Sequence, residues 1–215
     1  AAVMETRAQV EVLSQRIQGQ VPDDVQAIFT LYHHLLDANS LGREVEQKIT
    51  AGWDAPTSLK MVVETYIAQF QAMSDAYMRE RAVDVEDLSN RILANLLNLD
   101  TSRLTRAELP DKCILVAEEL TATMLAEFPK GKLCGLISIR GSSNSHAAIM
   151  ARALGVPAVM GVTGVPLSLL NDKEILLDGY TGAIIVSPNQ TIDREFQQLI
   201  HEEQLLSEKI LAQDD

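Results

Sequence analysis

Leu136-Ile137-Ser138-Ile139-Arg140-Gly141-Ser142-Ser143-Asn144-Ser145-His146-Ala147-Ala148-Ile149-Met150-Ala151-Arg152 changes structural character twice. The apolar run ending at Arg140 reads as a buried strand, and the Gly/Ser/Asn stretch after it as a loop. The Ala-rich segment that begins at His146 reads as a helix, with Asn144 or Ser145 available to cap it. Strand, loop and small-residue helix in this order predict an α/β unit. They also place an imidazole at a helix N-terminus, beside N–H groups that lack intrahelical acceptors. Such a place suits an anion, phosphate above all. A helix N-terminus disfavours imidazolium, which would help leave a ring nitrogen free to attack phosphorus. Gly141 permits a tight turn close to a phosphate, and Ser142, Ser143 and Ser145 supply hydroxyl donors. His146 is therefore a candidate phosphate carrier. The alternative is that Ser-Asn-Ser caps a helix and His146 is an ordinary surface residue.

Outward from the loop, more α/β signals appear. Cys113 to Ala117 reads as a strand, Gly155 to Gly161 encloses a short one, and Gly179-Tyr180-Thr181-Gly182 joins two apolar runs as a hairpin. Before Pro110 glycine occurs only at Gly19, Gly42 and Gly52, and apolar residues recur at threes and fours. That region predicts an antiparallel helix bundle: a helix ending near Gly19, another restarting at Pro22-Asp23-Asp24, a short one from Leu41, and a long stripe from Leu59 to Leu96. Ser74-Asp75 is a junction or kink in the stripe. Arg81 stands at an apolar position of it, where a long side chain can snorkel. The expected organisation is a helical bundle over 1–108, an α/β unit over 109–189, and an exposed C-terminal linker helix over 190–215.

Composition narrows the function classes. The chain of 215 residues carries a formal charge of −12, which argues against nucleic acid and anionic membrane partners. No stretch approaches the ~18 apolar residues of a membrane span. No basic segment followed by an apolar one opens the chain, so a cytoplasmic protein is expected. Cys113 and Cys134 form no CxxC pair and read as reduced core thiols. The loop has no second histidine or acid cluster, so no metal site is expected.

Gly141 to Gly161, GSSNSHAAIMARALGVPAVMG, resembles the active-site signature of phosphoenolpyruvate-utilising enzymes, whose histidine is phosphorylated. Tyr77 to Asp87 is similar to the Tyr-Leu-x-Glu-Arg-Ala-x-Asp-x-x-Asp segment of one branch, Enzyme I of the bacterial phosphotransferase system. The GSSNSH loop points to the nitrogen-related Enzyme I. The resemblance implies a swivelling α/β domain in which His146 is phosphorylated, with Gly141, Ser142, Ser143, Asn144, Ser145 and Arg152 forming the phosphate loop. It implies a donor, phosphoenolpyruvate, held with Mg2+ by a separate C-terminal barrel that these residues do not include. It implies an acceptor, a histidine of a small HPr-like phosphocarrier protein docked on the bundle. No cofactor belongs to this chain itself, which alone should only exchange phosphate with the carrier.

Carried over by position, the docking face comprises His34, Leu35, Leu41, Phe70, Met78, Arg81 and Asp84. For Arg81 this favours a partner-facing role over snorkelling; for Leu35, Phe70 and Met78 the alternative is bundle core. Two departures from the pattern stand out. The family begins with a strand, whereas this chain opens in a helical pattern, so that strand is missing or lies upstream; without it the α/β unit would expose a sheet edge. The family often sets a threonine hydroxyl against the second ring nitrogen, where Leu125 stands here, leaving Thr121, Thr123 or a backbone carbonyl as substitutes. Competing readings are a phosphohistidine domain of the dikinase or phosphoenolpyruvate synthase type, which the bundle disfavours, and a non-enzymatic adaptor, which the intact loop disfavours.

Overall fold

A computed structural model describes residues 1–37, 39–99, 109–129 and 131–212. Five helices form a bundle: α1 (Ala2–Ile17), α2 (Asp23–Leu35), α3 (Leu41–Thr50), α4 (Ala55–Gln71) and α5 (Ala76–Leu96). Their starts follow from local chemistry. Asp23 and Asp24 sit in the first turn of α2, against the positive end of its dipole. Asp54 caps α4 by accepting the Thr57 N–H at 2.9 Å, with Pro56 in the first turn. Asp75 caps α5 through the Tyr77 N–H at 2.9 Å. The Leu59–Leu96 stripe is thus two helices that pack on each other as a hairpin, and the junction falls at Ser74-Asp75 as its polarity suggests.

The apolar faces meet in a core of Val10, Leu13, Val25, Ile28, Phe29, Tyr32, Leu59, Val62, Val85, Leu88 and Ile92. Each buried Val, Leu, Ile or Phe contributes about 1.5–3 kcal/mol relative to exposure. Met73 and Tyr77, counted in the stripe by spacing, are instead exposed, because the helix break turns that stretch outward.

The α/β unit contains β1 (Cys113–Ala117), α6 (Ala122–Glu127), β2 (Leu133–Ser138), α7 (His146–Ala153), β3 (Ala158–Met160), a short 3-10 turn (Leu167–Leu169), β4 (Ile175–Asp178) and β5 (Ala183–Val186). Three parallel strands run in the order β1-β2-β3, while β4 and β5 form a separate antiparallel pair. In the hairpin Gly182 N–H donates to the Asp178 carbonyl at 2.9 Å, and the Asp178 carboxylate accepts the Tyr180 N–H at 2.8 Å. The hairpin packs closely on β2: a Cβ at Gly135 would lie 2.7 Å from Leu177 Cδ2. Cys113 is half-buried and Cys134 exposed at an irregularity of the β1–β2 register, so neither is the core thiol expected. The last helix, α8 (Gln190–Leu211), is largely exposed, with Ile192 and Phe196 half-buried near its start and Leu199, Leu206 and Ile210 open to solvent. The expected border between units falls among residues 100–108, outside those described.

One hydrophobic core runs from the bundle into the α/β unit through Leu120, Ala122, Leu125, Ala126, Leu136, Ala147, Met150 and Ala151. The small residues of α7 let it pack tightly, and they bring its first residue, His146, against the bundle.

Candidate functional site

The loop after β2 is built as its composition suggests. Gly141 takes φ +94, a conformation that side-chain-bearing residues rarely adopt, and a Cβ there would meet Met160 Cε at 3.4 Å. Ser142 Oγ accepts the Asn144 N–H at 3.3 Å. Ser145 caps α7 by accepting the Ala148 N–H at 3.3 Å. Arg152, one helix length away, donates to the Ser143 carbonyl at 2.7 Å and ties the loop to its own helix. Gly141, Ser142, Ser143 and Asn144 are exposed, whereas Ser145 and His146 are buried. Of the expected phosphate loop, Gly141 through Ser145 lie together beside His146, and Arg152 acts here on the loop backbone.

His146 is 5 % exposed, wedged between the two units. Helix α5 supplies the surrounding groups from positions 77, 81 and 84, which spacings of four and three set on one face. Asp84 Oδ2 lies 3.1 Å from His146 Nδ1. Arg81 Nη1 lies 3.6 Å from the same oxygen. Arg81 Nη2 donates to the Tyr77 hydroxyl at 2.6 Å, with its guanidinium 4.9 Å from the centre of the Tyr77 ring. The Tyr77 ring in turn meets the imidazole edge-on, with centroids 5.6 Å apart at 88°. Asp84 Oδ2 and Arg81 Nη1 sit at ion-pair distance without the alignment of a hydrogen bond. Burial pushes the Asp84 carboxyl above its ordinary value, against the pull of His146 and Arg81. A narrow crevice at the ring is lined by Glu80, Val83, Leu120, Thr121, Ala122 and Ala147 as well as Asp84 and Ser145.

This arrangement corrects several expectations. In this arrangement Asp84 and Arg81 are 4 % and 6 % exposed and face His146, so a partner meets them only where the two units part, and Arg81 does not snorkel. Leu35 and Leu41 are buried in the bundle core, where the apolar face of each helix draws them. His34 is exposed at the end of α2, and Phe70 and Met78 are half-buried near the α4–α5 junction. Thr121 and Thr123 do not back the ring. Both hydroxyls hydrogen-bond Asp87 on α5 instead, and Leu125 is core. The sequence reading missed Tyr77 and the Asp87 cluster. Buried-stripe spacing at 77, 81, 84, 87 and 91 with polar residues in it was the available signal.

Two family models match. One, described as the mobile domain of PEP-utilising enzymes, covers residues 109–182; the other, their N-terminal region, covers residues 1–81. A curated relative from Escherichia coli (strain K12), named "Phosphoenolpyruvate-dependent phosphotransferase system", is 42 % identical over 94 % of this chain and 26 % of its own length. A "Phosphoenolpyruvate-protein phosphotransferase" from Bacillus sp. (strain S) is 31 % identical over 92 % of this chain and 34 % of its own. The chain thus spans about a quarter to a third of these relatives. A solved structure titled "N-terminal domain of Enzyme 1 - Nitrogen" is 38 % identical, covers 93 % of this chain and 81 % of its own, and superposes with a TM-score of 0.61. A solution NMR structure of an Enzyme I protein is 26 % identical, covers 94 % and 82 %, and gives 0.73.

Proposed function

We propose a phosphohistidine relay, and its premise is family: the chain belongs to the phosphoenolpyruvate-utilising enzymes, as an Enzyme I N-terminal domain most like the nitrogen branch. In this reading His146 is the phosphoryl station. Its Nε2 takes phosphate that originates on phosphoenolpyruvate, bound with Mg2+ by a C-terminal region, and passes it to a histidine of a small HPr-like carrier of the nitrogen type. The observation that carries the reading is His146 at the first position of α7, with a glycine- and serine-built loop before it. The protein's task in phosphoryl transfer is positioning and charge stabilisation, and a helix N-terminus with nearby hydroxyls serves both.

Ring burial adds a mechanical requirement. With His146 5 % exposed, neither donor nor acceptor reaches Nε2 until the α/β unit and the bundle part locally or His146 changes rotamer. The carrier's dock is proposed on the bundle surface that remains of the aligned face, namely His34, Phe70 and Met78. Among the described residues no helix is long and apolar enough to cross a membrane, and no cluster of metal-ligating side chains occurs.

The test is transfer. Mixed with a phosphorylated HPr-like carrier, the chain should acquire acid-labile phosphate, and the His146→Ala chain should acquire none. Labelling of the alanine variant would sink the proposal.

A further inference from the structure

Asp84 and His146 are 62 positions apart in the chain and come from different units, yet they meet at 3.1 Å inside the protein. The carboxylate is buried, and it has Arg81 on one side and the imidazole on the other. Thr121 and Thr123, the nearby hydroxyls able to take that place, are committed to Asp87. We infer that Asp84 is the positioning residue of His146, accepting the Nδ1–H and so leaving the lone pair on Nε2. This rests on the reading of His146 as the phosphoryl station.

The chemistry follows from the two ring nitrogens being distinct. A partner at one nitrogen sets the tautomer at the other. When neutral His146 attacks, an Nε2–P bond forms from the Nε2 lone pair and the bond from phosphorus to the donor's leaving oxygen or nitrogen breaks, its electron pair staying on the leaving atom. No proton leaves the ring, which becomes cationic while Nδ1 keeps its hydrogen. A carboxylate at Nδ1 offsets that developing charge, and Arg81 at 3.6 Å favours the charged form of the carboxyl against its burial. On transfer to the acceptor the N–P bond breaks and the pair returns to Nε2. A poorly aligned contact in a resting structure is no obstacle, since catalytic hydrogen bonds often tighten only in the reacting complex.

The anchor has a further consequence, because it stands on the bundle while the phosphate loop travels with the ring. Tyr77, Arg81 and Asp84 belong to α5; Gly141 through Ser145 belong to the segment that leads into α7. The loop stays with His146 in every position, whereas the tautomer-setting group acts only when the ring rests on the bundle. Ring orientation is therefore coupled to closure of the two units.

The test reads the tautomer directly. In the nitrogen-15-labelled chain at neutral pH, imidazole proton–nitrogen correlations should show His146 protonated at Nδ1 and bare at Nε2. In Asp84→Leu the Nε2-protonated form should dominate, and phosphate exchange with a phosphorylated carrier should slow about 10- to 100-fold, with half-saturating carrier unchanged. Arg81→Met combined with Asp84→Leu gives the same readout if the single variant, with its stranded guanidinium, fails to fold. An Nδ1-protonated ring that persists in either folded variant overturns the inference, and so does an Nε2-protonated ring in the unmodified chain. The two claims fail separately: a chain that takes no phosphate sinks the station, while normal transfer with an unchanged tautomer sinks Asp84 alone.

Discussion

Two acidic residues one turn apart on α5 reach across to the same α/β unit, and they are treated oppositely. Asp87 is saturated: it accepts from the Tyr32 hydroxyl at 3.1 Å, from Thr121 at 3.2 Å and from Thr123. Beside it Arg91 donates to Thr123 at 3.2 Å and pairs with Glu127. Burial opposes the charge on Arg91, but Glu127 and Asp87 outweigh it and raise its pKa. Burial and Asp87 hold the Tyr32 hydroxyl well above its usual range. Asp84, by contrast, has an oxygen with no aligned hydrogen bond, and its neighbours are Arg81 and the ring of His146. A fully satisfied buried network rigidifies a joint, whereas a partly satisfied one stores cost that function can use. The first cluster reads as the seam between bundle and α/β unit, the second as the reactive side of that seam.

Removing either carboxyl tests the contrast. Asp87→Ala leaves three buried hydroxyl donors short of their acceptor, and should lower unfolding stability by about 3–5 kcal/mol. Thr123→Val takes one hydroxyl from the same network and should cost about 1–3 kcal/mol. Denaturant unfolding measures both, and losses below half a kcal/mol would mean the seam is held by apolar packing alone.

Asp84→Asn should cost less than either, and its signature is in pH. Because burial raises this carboxyl, the folded chain binds its proton more tightly than the unfolded chain, whose value is 3.8. Stability from this group is fully present below 3.8 and is lost as pH rises through the raised folded value. The carboxylates Asp54 and Asp178, lowered by hydrogen bonds from Thr57 and from Thr181 and Tyr180, slope the other way. The readout is therefore the difference between wild type and Asp84→Asn: relative to the variant, wild type should lose stability as pH rises from 4 towards neutrality. A flat difference would mean that burial does not disfavour the Asp84 charge.

Most of the fold was legible because its signals are local. Apolar spacing marks α1 to α5, Ser74-Asp75 marks the α4–α5 junction, and the loop from Gly141 to Ser145 separates β2 from α7 in plain composition. His146 was legible for the same reason. Its neighbours were not, since Asp84 meets it only through tertiary packing and spacing along α5 says nothing of what that face covers. Alignment to the family's pattern placed Arg81 and Asp84 on a docking face. Here they are buried under the imidazole, out of a partner's reach while the two units are closed, and Leu35 and Leu41 lie in the core. The charges at Arg81, Asp84, Asp87 and Arg91, conspicuous along the stripe, were the available sign that this face served something other than packing.

The proposed relay turns on one side chain. Incubation with a phosphorylated HPr-like carrier, followed by mass mapping under conditions that preserve acid-labile phosphate, should place the phosphoryl group on the peptide containing His146. Phosphate on any other residue, or its persistence in the His146→Ala chain, would contradict the account.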